Sequence, residues 1–202
     1  MGVVELAGER VRLDAPGLAD VDRIAVLCQD PEIAGWTTVP VPYGREDAHG
    51  FVTGMVADGW VSGRSCTWAI RADGPGVAGE TLVGMIGLHG IEERQAEIGF
   101  WLAPEARGRG VMSEAVSLVL DFGFAPAPGG LGLQRVEWFA FEGNAASAAV
   151  ARRAGFHWEG RRRLGGVQRG VRRDDWQAGL LAEDPRIPVE GWPEETFRQS
   201  RP

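Results

Sequence analysis

The sequence predicts an α/β (α+β) domain: a mixed, mostly antiparallel central sheet flanked by helices. Three observations carry that expectation. Short apolar or alternating segments rich in β-branched and aromatic residues are interleaved with stretches of helical spacing, in the order β-α-α-β-β-β-α-β-α-β-β. Residues 96–115 read as a strand, a glycine-bearing turn and a helix N-terminus. Residues 135–155 repeat that plan, with Asn144 as the cap and Gly155 as the stop.

The elements follow in chain order. Residues 10–13 alternate as a first strand. Residues 18–27 place Leu18, Val21, Ile24 and Ala25 on one helical face, with Asp14 or Pro16 near the start. Residues 30–44 are turn-rich and hold Trp36, Thr37, Pro40, Pro42 and Tyr43. Helical spacing returns over 45–60 through Ala48, Phe51, Val52, Met55 and Val56. Residues 66–71, a Gly/Pro-rich turn over 72–79, and residues 81–88 read as consecutive antiparallel strands leading into 96–102. A helix starts at Val111 and a loop covers 125–130. Residues 135–141 form a strand and 145–154 a helix. Residues 156–164 and 171–181 finish as a strand pair around Gly165, Gly166 and Gly170. The domain is expected over 1–182. Residues 183–202, rich in Pro and Glu, read as a poorly ordered or surface-packed tail.

Composition bounds the function. At 202 residues, 44% hydrophobic and 24% charged, the chain suits one domain with a substantial core. No apolar run reaches a membrane span, and the start lacks the basic and apolar regions of a signal peptide, so a cytoplasmic protein without a membrane partner is expected. A formal charge of −7 argues against a nucleic-acid partner. Cys28 and Cys66 have neither metal nor redox spacing and read as small buried hydrophobes, so no metal is expected. All 21 basic residues are arginine, and asparagine occurs only at Asn144.

The turn Arg107-Gly108-Arg109-Gly110 carries the chemistry. A glycine turn feeding a helix N-terminus converges free backbone N–H groups and the helix dipole on an anion, and arginines add positive charge. The simpler reading is a strand-to-helix turn with solubilising arginines. A P-loop is excluded because it needs a lysine, and a dinucleotide fingerprint because Ser113 stands where its third glycine belongs.

What remains resembles motif A of the GNAT superfamily of acetyltransferases, Gln/Arg-x-x-Gly-x-Gly/Ala, with Arg107, Gly110 and Met112 in the defined positions. Met112 stands where a small residue is usual. The string from Arg107 to Ala115 is similar to the RimJ/RimL-like branch. A second similarity lies downstream, where Asn144-x-x-Ser147 is followed by Ala151, Gly155-Phe156 and Glu159-Gly160. The resemblance covers residues 80–181 and is looser before them. It implies a GNAT fold whose sheet splays between the fourth and fifth strands, and acetyl-CoA as co-substrate. Amides near Phe100, Trp101 and Leu102 would hold the pantetheine arm, and Arg107, Gly108, Arg109, Gly110, Val111, Met112 and Ser113 would cradle the pyrophosphate. Asn144 and Ser147 would meet the pantetheine, and Arg152 the nucleotide end.

Acyl transfer also needs an acid for the thiolate and a base for the amine. The resemblance assigns the acid to Ser147, which could equally be a small helix-packing residue. Glu97 at the start of the central strand, or His89 beside the cleft, could serve as base; Glu97 could instead be a solvated strand-end carboxylate. His49 and His157 read as structural. The family's acceptor side maps to Trp36, Thr37 and Tyr43 and to the arginine-rich final hairpin, whose arginines could instead be its solvated face. The expected acceptor is a small-molecule amine or a protein N-terminus, and a homodimer is allowed. The alternatives are a non-catalytic acyl-CoA-binding or sensor module and, against the charge, an RNA-associated protein.

Overall fold

The computed structural model describes residues 2–74 and 77–201. Eight strands form one sheet in the order β1-β2-β3-β4-β5-β6-β8-β7. They are β1 (Leu6–Ala7), β2 (Val11–Asp14), β3 (Ser65–Gly74), β4 (Val77–Glu92), β5 (Gln95–Leu102), β6 (Arg135–Phe141), β7 (His157–Gln168) and β8 (Val171–Leu181). Every pairing is antiparallel except β5 with β6. This is the mixed, mostly antiparallel sheet the sequence predicts, with one addition: β1 precedes the expected first strand, so the predicted fourth and fifth strands are β5 and β6.

Strand alternation sorts side chains to two faces. Trp68, Ile70, Ile86, Leu88, Ile98, Val136, Trp138, Trp176 and Ala178 point to one face, where α5 (Val111–Phe124) and α6 (Ala145–Arg153) bury Val116, Val119, Leu120, Ala148 and Ala151 against them. On the other face, Ala69 and Met85 pack with Val21, Ile24, Ala48 and Val52 of the N-terminal helices. Those helices are α1 (Val21–Leu27), α2 (Pro31–Trp36), α3 (Arg45–Gly50) and α4 (Ala57–Ser62), with a π-helical segment Phe51–Val56 joining the last two.

Three readings need correction. Residues 30–44 contain helix α2, whose start was marked by the Asp30 N-cap and Pro31: Asp30 Oδ1 accepts from Glu32 N–H at 3.1 Å and Ile33 N–H at 3.0 Å. The turn expected over 72–79 is mostly strand, with residues 75 and 76 outside the described residues. Gly165 and Gly166 are not the final turn, which falls at Arg169-Gly170. They sit inside β7 at a register shift, because a Cβ on Gly165 would lie 2.4 Å from Asp175 Oδ1 and one on Gly166 2.7 Å from Phe141 Cε1. Residues 183–201 pack against the domain. Trp192 is 5% exposed, donates through Nε1 to the Phe156 carbonyl at 3.1 Å, and stacks at centroid distances of 5.6 Å on Trp138 and 5.5 Å on Trp158. The segment then runs on to α6, where Phe197 lies under the Arg152 guanidinium.

No helix among the described residues is long and apolar enough to cross a membrane. Cys28 and Cys66 are both buried and unpaired, and burial pushes each thiol up to about 12.

Candidate active site

The parallel pairing of β5 and β6 covers only Gln95 to Ile98 against Arg135 to Trp138. Beyond Ile98 the two strands part, while β5 stays bonded to β4 through Leu102. One edge of Gly99, Phe100, Trp101 and Leu102 therefore faces a gap instead of a strand. A cavity of 790 Å³ fills that gap, bounded by the segment from Trp36 to Tyr43, the three strands around the splay and the β7–β8 hairpin.

On its sheet wall β4 and β5 present Gly87, His89, Glu97 and Gly99 on the same face. His89 and Glu97 are register partners, which places their Cβ atoms about 5 Å apart. Glu97 is open to solvent at the cavity mouth yet walled by protein; that desolvation raises its pKa, Arg162 opposes the rise, and Glu137 and Asp175 add to it. Burial lowers the His89 pKa. Both shifts favour the uncharged form, and for His89 that form is a proton acceptor. Arg162 crosses the cavity on an ion pair with Asp175, Nε to Oδ1 2.9 Å, and lies 3.9 Å over the Phe139 ring.

Ser147 reaches the same space from the other face of the sheet, through the gap. Asn144 caps α6 by accepting from the Ser147 N–H at 3.1 Å. The Ser147 Oγ accepts from Trp138 Nε1 at 3.0 Å, which fixes the oxygen and leaves the hydroxyl proton to be donated. Trp36, Thr37 and Tyr43 line the opposite wall. Thr37 Oγ1 donates to the Ile33 carbonyl at 2.6 Å, so its hydroxyl proton closes α2.

The glycine turn has a different character. Gly108 (φ 72°) and Gly110 (φ 79°) occupy the left-handed region, and a Cβ built on either meets open space. The first helical bond of α5 runs from Glu114 N–H to the Gly110 carbonyl at 3.1 Å. The N–H groups of Val111, Met112 and Ser113 have no acceptor among the described residues, as an anion site requires. Glu114, the acid in this first turn, is drawn off to Arg10, whose N–H it accepts at 2.9 Å. Met112 is 7% exposed and belongs to the main core, so its bulk does not enter the loop. Arg107 is engaged within the chain: its Nε donates to the Leu102 carbonyl at 3.1 Å and its guanidinium pairs with Glu32, so its charge bridges to α2. Phe100 and Trp101 line the cavity, and Leu102 stands just beyond it.

A second cleft of 210 Å³ lies between α5 and α6, lined by Ser113, Ser117, Val150, Arg153 and Arg186. Arg152 is not in it. Its guanidinium is 4.0 Å over Phe197, with Nη1 buried and without a hydrogen-bond partner. Arg153 and Arg186, which the sequence analysis did not single out, line the cleft. Counting helical phase from the buried Ala148 and Ala151 separates the neighbours Arg152 and Arg153, whereas Arg186 carried no sequence signal.

The hairpin arginines are mostly engaged within the chain. Arg161 holds Asp174 at 2.5 Å, and Arg169 Nη1 donates to the Ala34 carbonyl at 2.9 Å and the Val39 carbonyl at 3.1 Å. Arg173 donates to Gln168 Oε1 at 2.7 Å and lies 4.9 Å over Phe141. Gln168 Nε2 adds bonds of 2.8 Å to the Gly35 and Thr37 carbonyls. These contacts pin the hairpin to the end of α2 and close the cavity on that side. His49 and His157 are exposed and do not line it.

Comparison with known proteins matches residues 10–157 to the acetyltransferase (GNAT) domain family. The chain is 38% identical over 106 residues to the "Putative ribosomal N-acetyltransferase YdaF" of Bacillus subtilis (strain 168), a match covering 52% of this chain and 56% of that protein. The chain thus spans about half the length of the curated relatives it matches. Among solved structures, the RimJ of Mycobacterium smegmatis with CoA-disulfide superposes with a TM-score of 0.76 at 22% identity, covering 90% of this chain and 87% of that one. A RimL ribosomal L7/L12 α-N-protein acetyltransferase with coenzyme A gives 0.74 at 20% identity, covering 89% and 98%. At those identities the likeness is one of fold.

Proposed function

The chain belongs to the GNAT acetyltransferase domain family, and from that premise we propose that it moves the acetyl group of acetyl-CoA directly onto a primary amine, the α-amine of a protein N-terminus in preference to a small-molecule amine. One observation carries the reading: the gap between β5 and β6 opens into a cavity that collects a carboxylate and an imidazole on one wall and a hydroxyl on the other. Direct transfer needs this set around a thioester.

The roles follow from position. The free edge of residues 99–102 supports a pantetheine arm lying in the gap as an added strand. Open N–H groups at Val111, Met112 and Ser113 support the pyrophosphate site, and the cleft with Arg153 and Arg186 the nucleotide end. A cationic amine is drawn to the Glu97 carboxylate. Glu97 or His89 takes its proton, the amine nitrogen bonds to the carbonyl carbon as the C–S bond breaks, and Ser147 protonates the departing thiolate. Ser147 recovers a proton from the new amide nitrogen. The preference for a protein N-terminus draws on the ribosomal naming of relatives.

The test is calorimetric titration with acetyl-CoA, with NAD and ATP as controls, followed by free-thiol release with a short peptide bearing a free α-amine against spermidine and an aminoglycoside. Micromolar binding of acetyl-CoA alone and faster turnover with the peptide are expected. Binding without turnover by any amine would favour the non-catalytic acyl-CoA module, and no binding would defeat the reading.

A further inference from the structure

His89 lies almost flat on two glycines. The Cβ that Gly87 lacks would sit 2.7 Å from the ring Nε2 and 2.8 Å from Cε1; that of Gly99 would sit 3.5 Å from Cδ2 and 3.6 Å from Nε2. Gly87 and Gly99 are register partners on β4 and β5, so together they form a floor without side chains on the cavity face. Gly99 is also the first residue past the last β5–β6 pair. The ring therefore lies over the glycine floor, with Nε2 closest to Gly87 and both Cδ2 and Nε2 near Gly99 at the point where the sheet opens. At the other end of the ring, Nδ1 is 2.8 Å from the Ser65 Oγ. Ser65 is the register partner of His89 on β3, and Glu97 its partner on β5, so the three stand in one row across the sheet.

We propose that Ser65 is a positioning residue that holds His89 in the Nδ1–H tautomer, with the Nε2 lone pair aimed across the glycine floor at the splay, making His89 the immediate acceptor of the amine proton. The inference deepens the acyl-transfer reading and rests on it. An imidazolium carries protons on both nitrogens, so when His89 is charged the Ser65 oxygen can only accept from Nδ1. If the neutral ring already donates from Nδ1, gaining a proton at Nε2 leaves the Ser65 contact unchanged. The opposite tautomer would need the hydroxyl to rotate and would turn a donor, not a lone pair, toward the substrate. Ser65 is half-buried, which leaves its own proton a path to solvent.

The step balances simply. The ammonium gives one proton to Nε2, producing a neutral amine and an imidazolium, and the amine then attacks. The titratable and charged side chains that share the cavity with the ring are Glu97 from β5, Arg162 and Asp175 from the hairpin, Asp47 from α3, and Tyr43. Glu97, directly opposite, stabilises the imidazolium once formed, while burial keeps the resting ring neutral.

The experiment begins with a long-range 1H–15N spectrum of protein labelled at its three histidines, His49, His89 and His157. His89 is identified by the signal that His89→Gln removes. It is expected as the Nδ1–H tautomer at neutral pH, unlike free imidazole side chains, which prefer Nε2–H. Ser65→Ala should return it to Nε2–H, and Ser65→Thr should keep Nδ1–H. An Nε2–H signal for His89 in the unsubstituted protein overturns the proposal. In the thiol-release assay with the peptide, Ser65→Ala should lower kcat about 10-fold without moving the KM for acetyl-CoA, Ser65→Thr should restore it, and His89→Gln should cost ~100-fold. The acidic limb of the pH–rate profile should vanish in His89→Gln. Full turnover by His89→Gln overturns the proposal and leaves acyl transfer standing. A wild-type protein that turns over with no amine defeats both the transfer reading and the role of His89 as proton acceptor.

Discussion

The N-termini of α5 and α6 flank the same gap and are built in opposite ways. Each follows a strand and a glycine turn. At α5 the N-cap is Gly110, no side chain caps it, and the first three helical N–H groups have no acceptor among the described residues. At α6 every early donor is occupied: Ala145 N–H bonds the Gly143 carbonyl at 3.0 Å, Ala146 N–H bonds Gln199 Oε1 at 2.9 Å, and Ser147 N–H bonds Asn144 Oδ1 at 3.1 Å. Unsatisfied donors leave room for an anion, whereas satisfied ones fix a side chain. The first end suits a phosphate and the second suits a hydroxyl that must stay within reach of a reacting atom.

Substitutions should break this contrast in graded fashion. Gly110→Glu puts a like charge in the open end and forces a side chain into the left-handed region; acetyl-CoA binding by calorimetry should fall more than 100-fold, equivalent to about 2.7 kcal/mol. Retained binding would show that the open end is not the phosphate site. Ser147→Ala should leave binding intact and lower kcat ~100-fold, and unchanged turnover would remove the hydroxyl from the chemistry. Asn144→Ala strips the α6 cap; a loss of about 1 kcal/mol is expected, read as a fall of a few degrees in Tm, with a smaller drop in turnover as Ser147 loosens. Gln199→Ala removes one contact from outside, and a loss of about 0.5 kcal/mol should leave acetyl-CoA affinity unchanged.

Both helix ends were legible in the sequence, though not their contrast. Gly108 and Gly110 followed by helical spacing announced the open end, and Asn144 before Ala145 announced the closed one. The Gln199 and Ser200 contacts have no local signature, because they join residues more than fifty positions apart. The same limit hid Arg153 and Arg186 in the α5–α6 cleft, and it hid the reason for Gly165 and Gly166, whose missing side chains make room for Asp175 and Phe141. Gly87 and Gly99 carry no local signal, and only the register sets them side by side beneath His89. Helix α2 was a failure of a different kind: Asp30-Pro31 is a local start signal, outweighed by the turn residues that follow.

The C-terminal segment has a temporal consequence. Trp192 completes the tryptophan cluster behind Trp138, the residue that holds the Ser147 hydroxyl, and Ser200 N–H closes on the Gly143 carbonyl at 2.9 Å. A ribosome releases β6 and α6 long before it releases those partners. During translation the nascent domain can complete its central strands and the open end of α5 while the hydroxyl side is still unbraced. On the proposed reading the co-substrate pocket would form before the Ser147 side is braced, and a chain stalled after β8 should bind acetyl-CoA yet transfer it poorly.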